Sequence, residues 1–342
     1  MSNSSVQARV LCSPEAIRRL TPEWQDLWTR CPGASTFQRP EWLLAWMKAF
    51  HPLEIRLFEL RRDSHLVGIA PLLIYPRGDE QVLAFMGGGV SDYLDLLVDP
   101  EWVQLTVEAF RDAILEDSDW RVLDLTDLPS DTVLSNSRLW EFQQPHDICS
   151  AIRLPAASAE LLQMFSNRQR ANLRNAKSRL NHSGGGEIQL ATAETISEFT
   201  EELFQLHTGR WAELGSPGVL SDEKVRVFHR EITPRLLDRG CLRVYRLRSA
   251  DRTLAVIEAF FEAKTAFCYM QGFDPDSAYL SPGTQLMFAV INEAVRAGLR
   301  KFDFLRGTEA YKSHWRGKPE QTYRISASRE QLTSMAINRR AA

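Results

Sequence analysis

The chain has 342 residues, of which 44% are hydrophobic and 25% are charged, and its formal net charge is −3. This composition is typical of a folded protein and excludes a disordered or fibrous chain. The near-neutral total argues against a protein that binds nucleic acids in general. Because a single hydrophobic core stops growing at about 250–300 residues, the length predicts two domains.

The charge is unevenly distributed along the chain. Residues 166–182 contain five Lys or Arg and no acidic residue, and residues 300–342 contain ten Lys or Arg against four Asp or Glu. These segments carry +5 and +6, so the rest of the chain carries −14. We therefore expect two basic segments on an acidic protein.

Several classes of site are excluded by the motifs that the sequence lacks. P-loop, GxGxxG, GxSxG and HExxH motifs are all missing, and the five cysteines include no CxxC pair, so neither a disulfide framework nor a metal site is predicted. The longest apolar stretch, Leu66–Tyr75, is shorter than the roughly 20 residues of a membrane span. Without a signal-peptide pattern at the N-terminus, we expect a cytoplasmic protein that has no transmembrane segment.

The first half of the chain predicts helices and strands in a defined order. Its first helix has Ile17, Leu20 and Trp24 at helical spacing. The predicted elements are a strand at Val6–Cys12, helices at Pro14–Arg30 and Pro40–Phe50, strands at Glu54–Leu60, Leu66–Tyr75 and Gln81–Met86, a helix at Glu101–Glu116 and a strand at Arg121–Leu125.

The second half repeats this order after a basic helix at 158–182. The predicted elements are a strand at Glu187–Ala193, helices at 196–214 and Ser221–Gly240, strands at Leu242–Arg248, Leu254–Glu262 and Ala266–Phe273, a helix at Gly283–Ala297 capped by Ser281, a strand at Lys301–Leu305, a short helix at 309–315 and a strand at Thr322–Ser328. Two copies of one order predict a duplicated α/β domain. We expect an N-terminal domain at 1–155, a basic linking helix at 156–186 and a C-terminal domain at 187–342.

Short segments in both halves carry a resemblance to one known family. They are Phe37–Trp42, Ser91–Asp95, Leu206–Trp211, Gly272–Asp274, Leu280–Thr284, Phe302–Gly307 and Tyr311–Trp315. In this order and spacing they resemble the CelD/BcsL-like acetyltransferase family, a double-GNAT branch related to the FemABX peptidyltransferases. The resemblance covers about residues 35–328. It implies tandem GNAT-like acyltransferase domains with a mixed α/β sheet, and acetyl-CoA as the acyl donor.

The turn at Ser281–Thr284 opens a helix directly after a strand. Its free N–H groups and the positive end of the helix predict an anion site. The resemblance implies that Ser281, Gly283 and Thr284 hold the pyrophosphate of acetyl-CoA, although the usual GNAT pattern [RQ]xxGxG/A is absent. The alternative is a plain Ser-Pro helix cap.

Two residues just past the fifth strand of the GNAT pattern, Lys301–Leu305, are assigned by the resemblance. Tyr311 is implied to protonate the leaving thiolate, and Lys312 to contact a phosphate, with Arg306 nearby. The alternative is an exposed helix face above a buried Trp315.

Two acids of the second half are candidate catalytic residues. Glu258 lies in an otherwise apolar run, where it is either a general base of raised pKa or half of a buried ion pair with Arg210 or Arg306. Asp303 lies on the strand that splays in GNAT folds, and it is either catalytic or a structural hydrogen-bonding residue.

The acceptor site is predicted from the first half and from the basic helix. Asp92, Tyr93 and Asp95 follow three glycines and, with Gln38, are candidates to hold an acceptor across the domain cleft; an Asx-rich turn is the alternative. Arg174 shares a helix face with Arg170 and Lys177, either for phosphates or as a solvated surface. The first half lacks the Ser-Pro-Gly turn and the Tyr-Lys pair, so we expect one active site, built mainly by the second half.

The predicted function is transfer of an acetyl group from acetyl-CoA to a hydroxyl or amine, such as that of a sugar or a cell-envelope precursor. Direct attack is expected because no Cys or Ser nucleophile lies beside a base in the sequence. An aminoacyl-tRNA-dependent transferase like FemABX is one alternative, and an inactive scaffold in polysaccharide biosynthesis is another. General nucleic-acid binding is not expected, since the basic helix lacks interleaved aromatic residues.

Overall fold

A computed structural model describes residues 5–213 and 215–340. The chain divides into two compact units, which we call unit 1 (the chain up to Ile148 and from Gln321 onward) and unit 2 (Cys149–Glu320). This division differs from the predicted one in two places. The basic helix is part of unit 2 rather than a separate linker, and the C-terminal segment from 321 is part of unit 1.

Unit 1 follows the predicted order closely. Its elements are β1 (Val6–Leu11), α1 (Pro14–Arg30), α2 (Pro40–Phe50), β2 (Glu54–Arg62), β3 (His65–Arg77), β4 (Glu80–Phe85), β5 (Leu97–Val98), α3 (Val103–Glu116) and β6 (Val122–Leu128). Strand β7 (Gln143–Arg153) begins in unit 1 and ends in unit 2. The sequence did not predict β5 or β7.

Unit 2 repeats this order after two helices. Its elements are α4 (Ser158–Leu161), α5 (Asn167–His182), β8 (Glu187–Leu190), α6 (Ile196–Glu213), α7 (Glu223–Asp238), β9 (Leu242–Ser249), β10 (Arg252–Glu262), β11 (Thr265–Phe273), α8 (Pro282–Arg296), β12 (Lys301–Arg306) and α9 (Ala310–His314). Strand β13 (Lys318–Ser328) and helix α10 (Arg329–Arg340) then follow. Asp222, rather than the predicted Ser221, caps α7, because its side chain accepts a hydrogen bond from the Lys224 N–H.

The sheet of each unit is completed by a strand from outside its own repeat. In unit 1 the strand order is β1-β2-β3-β4-β6-β13, and in unit 2 it is β7-β12-β11-β10-β9-β8. The predicted last strand of the second half therefore pairs with β6 in unit 1, and Cys149–Arg153 pairs with β12 in unit 2. Residue alternation predicts a strand but not its partner, so the sequence pattern did not reveal this exchange.

The two central strands of unit 2 diverge. Strands β11 and β12 are parallel and pair only over Thr265–Phe267 with Lys301–Asp303, although β11 continues to Phe273 and β12 to Arg306. Helix α8 packs on one face of this sheet, where Ala255, Ile257 and Ala259 enter the same core. Helices α6 and α7 pack on the other face. A gap between two strands thus lies within a sheet that is covered on both sides.

Each unit has its own hydrophobic core. The core of unit 1 joins β2, β3, β4 and β6 to α3, and that of unit 2 joins β9, β10 and β11 to α8. No helix within residues 5–213 and 215–340 has the length and apolarity that crossing a membrane requires.

Candidate active site in unit 2

The connection from β11 to α8 is short and tightly turned. A single 3₁₀ segment, Pro275–Leu280, leads to Ser281, whose φ of 53° is left-handed, and Pro282 starts the helix. Ser281 occupies the predicted N-cap position, but its hydroxyl makes no capping bond. Its Oγ instead accepts a hydrogen bond of 3.0 Å from Arg179 Nη2, and Arg179 Nε donates to the Tyr279 carbonyl at 2.7 Å. An arginine of α5 therefore lies at the positive end of α8.

A cavity of about 390 Å³ lies between α5, the start of α8 and α9. It brings together three of the predicted site residues: Ser281, Thr284 and Tyr311. The other lining residues are Phe165, Gln169, Asn172, Leu173, Asn175, Ala176, Arg179, His314 and Trp315. The wall is therefore rich in amide side chains, with a guanidinium at the helix start and aromatic rings opposite.

Local sequence explains why α5 forms this wall. Ser166 and Gln169 make a capping box, in which each side chain bonds to the other's backbone N–H. Ala176 and Leu180 are buried on one face of the helix. Gln285 Nε2 donates to the Ala176 carbonyl at 3.2 Å, and Gln169 Nε2 donates to the His314 carbonyl. These bonds attach the basic helix to α8 and α9.

Tyr311 is the predicted acid, and it lies inside this cavity. Burial raises the pKa of its hydroxyl far above the usual value, and the neighbouring Cys268 and Glu309 raise it further. Arg210 and a hydrogen bond with Gln271 act in the opposite direction. The hydroxyl is therefore protonated at neutral pH and can donate a proton or a hydrogen bond.

Lys312 has a different position from the one predicted. The residue is only 2% exposed and lies outside the cavity lining. The ammonium donates to the carbonyls of Leu305 (3.0 Å), Arg306 and Gly307 (3.2 Å) and lies 3.0 Å from a carboxylate oxygen of Glu309. An ammonium has three protons, and these four oxygens already surround it. The structure therefore places Lys312 as the anchor of the loop after β12, not as a phosphate ligand.

Glu258 is buried deep in unit 2, away from the cavity. It is 1% exposed, and its Oε2 lies 3.3 Å from His229 Nδ1. The alternative of an ion pair with Arg210 or Arg306 is therefore wrong, because the facing group is a histidine of α7. Helix α7 buries His229 together with Phe228 and Ile232.

Asp303 is fully buried on β12. Its Oδ1 accepts a hydrogen bond of 2.8 Å from the Leu305 N–H, and its Oδ2 lies 3.1 Å from Lys301 Nζ. Burial raises the pKa of this carboxyl, while Lys301 opposes the shift. These contacts favour the structural alternative. Arg306 is half-buried at the end of the same strand, and Gly283 is half-buried in the first turn of α8, both outside the cavity lining.

The predicted acceptor residues of unit 1 form a braced loop. Asp95 accepts hydrogen bonds from the Leu96 and Val133 N–H groups and from Thr132 Oγ1, and burial raises its pKa to about 7. Gln38 accepts from the Ser35 N–H at 3.0 Å and donates to the Leu96 carbonyl at 3.1 Å. These bonds resemble the Asx-turn alternative.

The remaining predicted acceptor residues are more accessible. Asp92 and Tyr93 are half-buried, with the Tyr93 ring 6.4 Å from that of Phe37. Arg174 lies on the exposed face of α5.

A family model matches part of unit 2. Residues 167–313 match the family described as acetyltransferase (GNAT) domain. The matched segment lies within unit 2 and covers most of it. The match begins at the start of α5 and ends within α9, so it includes most of the cavity wall. No curated protein matches the chain.

Solved structures share the fold at low sequence identity. FemX has a TM-score of 0.64 at 12% identity and is matched over 92% of this chain and 98% of its own. L-PGS from Bacillus licheniformis has a TM-score of 0.57 at 13% identity over 96% of both chains. A tandem GNAT protein from the clavulanic acid biosynthesis pathway has a TM-score of 0.50 at 14% identity, over 95% of this chain and 98% of its own. The predicted fold class, a mixed α/β fold of tandem GNAT-like units, is confirmed.

Sequence reasoning missed the polar face of α5 that lines the cavity. Gln169, Asn172, Asn175 and Arg179 recur at three- and four-residue spacing, which is the signal of one helix face. The sequence prediction instead favoured the face that carries Arg170, Arg174 and Lys177. The charge pattern therefore identified the helix that lines the cavity, but not the face of that helix that does so.

Proposed function

We propose that unit 2 is an acyltransferase that moves an acetyl group from acetyl-CoA to an amine or hydroxyl. The observation that carries this proposal is the cavity that the start of α8, Arg179 of α5 and Tyr311 of α9 line together, in a unit whose central strands β11 and β12 diverge. The residues fit the donor chemically. The N–H groups of the helix start and the Arg179 guanidinium suit a pyrophosphate, and the side-chain amides of Asn172 and Asn175 suit the amide groups of the pantetheine arm.

The chain's own groups then have defined roles. Acetyl-CoA supplies the thioester, and the acceptor attacks its carbonyl carbon directly. Arg179 and the α8 start hold the phosphates, which fixes the donor before the chemical step. Tyr311 gives its proton to the leaving sulfur, because burial keeps the hydroxyl protonated at neutral pH.

Calorimetry with CoA and acetyl-CoA tests the donor. Wild-type protein is expected to bind both, and Arg179→Gln is expected to bind about tenfold more weakly through loss of a charge-assisted bond. Lys177→Gln, an exposed cation on the same helix, is the matched control and should bind like wild type. Absence of binding to both ligands by the wild-type protein contradicts the proposal.

The acceptor is proposed to be a hydroxyl or amino group of a sugar or of a cell-envelope precursor in the cytoplasm. A mass-shift assay with acetyl-CoA and a panel of amino sugars and nucleotide sugars tests this class. Asp92→Asn and Tyr93→Phe are expected to raise the acceptor KM without changing the affinity for CoA. Transfer to none of the panel compounds, with CoA binding intact, contradicts the acceptor class and favours an inactive scaffold.

A second candidate is an aminoacyl-tRNA-dependent transferase. The FemX-like fold and the exposed cations Arg168, Arg174 and Lys177 on α5 favour it. Binding of aminoacyl-tRNA with a steep dependence on salt, reduced by Arg174→Gln, supports this candidate. Weak binding of aminoacyl-tRNA that does not depend on salt contradicts this second candidate.

A further inference from the structure

Unit 2 contains a buried polar cluster on the α6/α7 face of its sheet. His207 is 6% exposed, His229 is 0% exposed and Glu258 is 1% exposed. Within the described part of the chain, His207 Nδ1, both ring nitrogens of His229 and Glu258 Oε1 have no hydrogen-bond partner. A buried polar group that has no hydrogen-bond partner destabilises the folded state. Such a cluster weakens the fold, which is a feature of functional sites rather than of structural cores.

The deeper half of the cluster is an imidazole–carboxylate pair in an aromatic surrounding. Glu258 Oε2 lies 3.3 Å from His229 Nδ1, and the His229 ring stacks on Tyr269 at 5.5 Å. Phe204 and Phe228 meet the same ring edge-on at 5.8 and 5.6 Å. A shift in the β10–β11 register at Glu258 leaves Tyr269 as an extra residue, which brings its ring to this face. The pair is therefore held in a dry, shaped site.

The second part of the cluster is His207, the most exposed of the three residues. Two glycines, Gly272 and Gly218, pack closely against it. A Cβ on Gly272 of β11 would lie 2.7 Å from the His207 backbone nitrogen, so α6 crosses the strand in contact there. A Cβ on Gly218 would lie 2.8 Å from His207 Cε1 and 2.7 Å from Trp211 Cγ. Gly218 has a φ of 66°, which glycine adopts without strain. This backbone conformation lets Gly218 pack directly against the imidazole.

His207 interacts electrostatically with His229, one member of the deeper pair. Burial, together with the charges of His229 and Arg210, lowers the pKa of His207 to about 4. Its imidazole is therefore neutral at physiological pH, with a lone pair available. The surrounding titratable and charged groups are Arg210 on α6, Arg226 and His229 on α7, Glu258 on β10 and Tyr269 on β11.

His207 and Tyr311 contact neighbouring residues of one strand from opposite faces. The side chain of Gln271 hydrogen-bonds with Tyr311, which packs against the α8-side core. Gly272, the next residue, contacts His207 on the α6 side. Successive residues of a strand point to opposite faces. The two groups therefore lie on either side of β11, in the part where it has separated from β12.

We propose that His207, with the His229–Glu258 pair behind it, takes the proton of the acyl acceptor. This inference rests on the proposed function. The acceptor nitrogen or oxygen bonds to the thioester carbon, the C–S bond breaks, and its electron pair stays on sulfur. The acceptor's proton passes to His207, while Tyr311 protonates the sulfur. Solvent then removes the first proton and restores the second, so the net reaction is acyl transfer with release of the free thiol.

Histidine side-chain NMR of the full chain without ligand tests the coupling directly. Glu258→Gln keeps the shape of the side chain and removes its charge, so the titration midpoint of His207 and the tautomer of His229 should both change. His229→Gln should shift the His207 midpoint as well. His182→Gln, at an exposed histidine of α5, is the matched control and should leave both signals unchanged. Unchanged His207 titration in both cluster variants, with folding verified by near-UV circular dichroism, overturns the proposal.

Kinetics with acetyl-CoA and the amino-sugar panel tests the chemical role. His207→Gln is expected to lower kcat about 10²–10⁴-fold with an unchanged KM for acetyl-CoA, and to remove the acidic limb of the pH profile of kcat. His229→Gln should lower kcat less than His207→Gln does, and it should shift the acidic limb of the pH profile rather than remove it. A wild-type pH profile in His207→Gln overturns the proposal even if transfer is observed. Failure of the wild-type protein to bind CoA removes the proposed donor instead, and the NMR coupling is independent of that result.

Discussion

Units 1 and 2 have the same order of elements, yet they differ at the connection between the central strand and the helix that follows it. In unit 2 a single 3₁₀ turn separates β11 from α8, and the cavity lies at the start of that helix. In unit 1 a longer connection leads from β4 to α3, with Met86, Val90, Leu94 and Leu96 buried along it and β5 paired with β3. The same fold thus provides a cavity at the helix start where the connection is short, and packs that connection into the core where it is long.

The two units also share a buried acid that is easily mistaken for a catalytic group. Asp124 and Asp303 are each the third residue of their strand, β6 and β12. Asp124 accepts hydrogen bonds from Arg77 and Arg324, and Asp303 contacts Lys301 and the Leu305 N–H. Since unit 1 has this acid without the Ser-Pro-Gly turn or the Tyr-Lys pair, the comparison favours a structural role for Asp303.

The largest expected effect concerns the group that only unit 2 has. Tyr311→Phe should lower kcat for acetyl transfer about 10²–10⁴-fold, because the leaving sulfur loses its proton donor. Affinity for CoA should be unchanged by calorimetry. Tyr323→Phe, on β13 of unit 1, is the matched control and should retain wild-type kcat. Equal rates for the Tyr311→Phe variant and wild type would contradict the role of Tyr311 as the acid that protonates the leaving sulfur.

A stability measurement separates the two roles of Lys312. Lys312→Met should lower the free energy of unfolding in urea by about 3–5 kcal/mol, because three carbonyls and Glu309 lose a buried partner. Lys177→Met, at an exposed position, should change it by less than about 0.5 kcal/mol. Full stability combined with loss of CoA binding would restore the predicted phosphate contact.

The loop of unit 1 should show a distinct pH dependence. Burial raises the Asp95 pKa to about 7, above the ordinary value of 3.8. The folded state therefore holds a proton that the unfolded state releases between these values, and stability should fall as pH rises from about 4 to 7. The change is on the order of 4 kcal/mol at most, since one pKa unit corresponds to about 1.36 kcal/mol.

Urea titrations across this pH range measure the effect. Asp95→Asn should flatten the dependence, because the amide does not titrate. Asp79→Asn, on an exposed turn, should retain the wild-type curve. If Asp95→Asn leaves the dependence of stability on pH unchanged, that dependence arises from other groups.

The paired strand acids should respond alike. Asp124→Asn and Asp303→Asn are each expected to cost about 1.5–3 kcal/mol of stability through loss of hydrogen bonds to a charged group. Asp303→Asn should leave kcat within a factor of a few in the protein that remains folded. A large loss of kcat from this substitution at full stability would instead make Asp303 part of the chemistry.

Local patterns predicted most elements of both units to within a few residues. Helix α1 begins and ends at Pro14 and Arg30 as predicted, and α2 at Pro40 and Phe50, because prolines, caps and apolar spacing are encoded within each segment. Strand β7 was missed because its exposed first half lacks regular alternation. The candidate site was predicted in part: Ser281, Thr284 and Tyr311 line one cavity, whereas Lys312 and Glu258 lie outside it.

The sequence by itself determined the order of elements, the GNAT-like repeat and the turn at Ser281 that begins α8, since each depends on residues that are close in the chain. Only the tertiary structure decided which strand completes each sheet, which face of α5 lines the cavity, and that Glu258 faces His229. These outcomes depend on contacts between residues far apart in sequence, such as Arg179 with Ser281 and β13 with β6. Such pairings are set by the packing of buried surfaces, which periodicity along one segment does not specify.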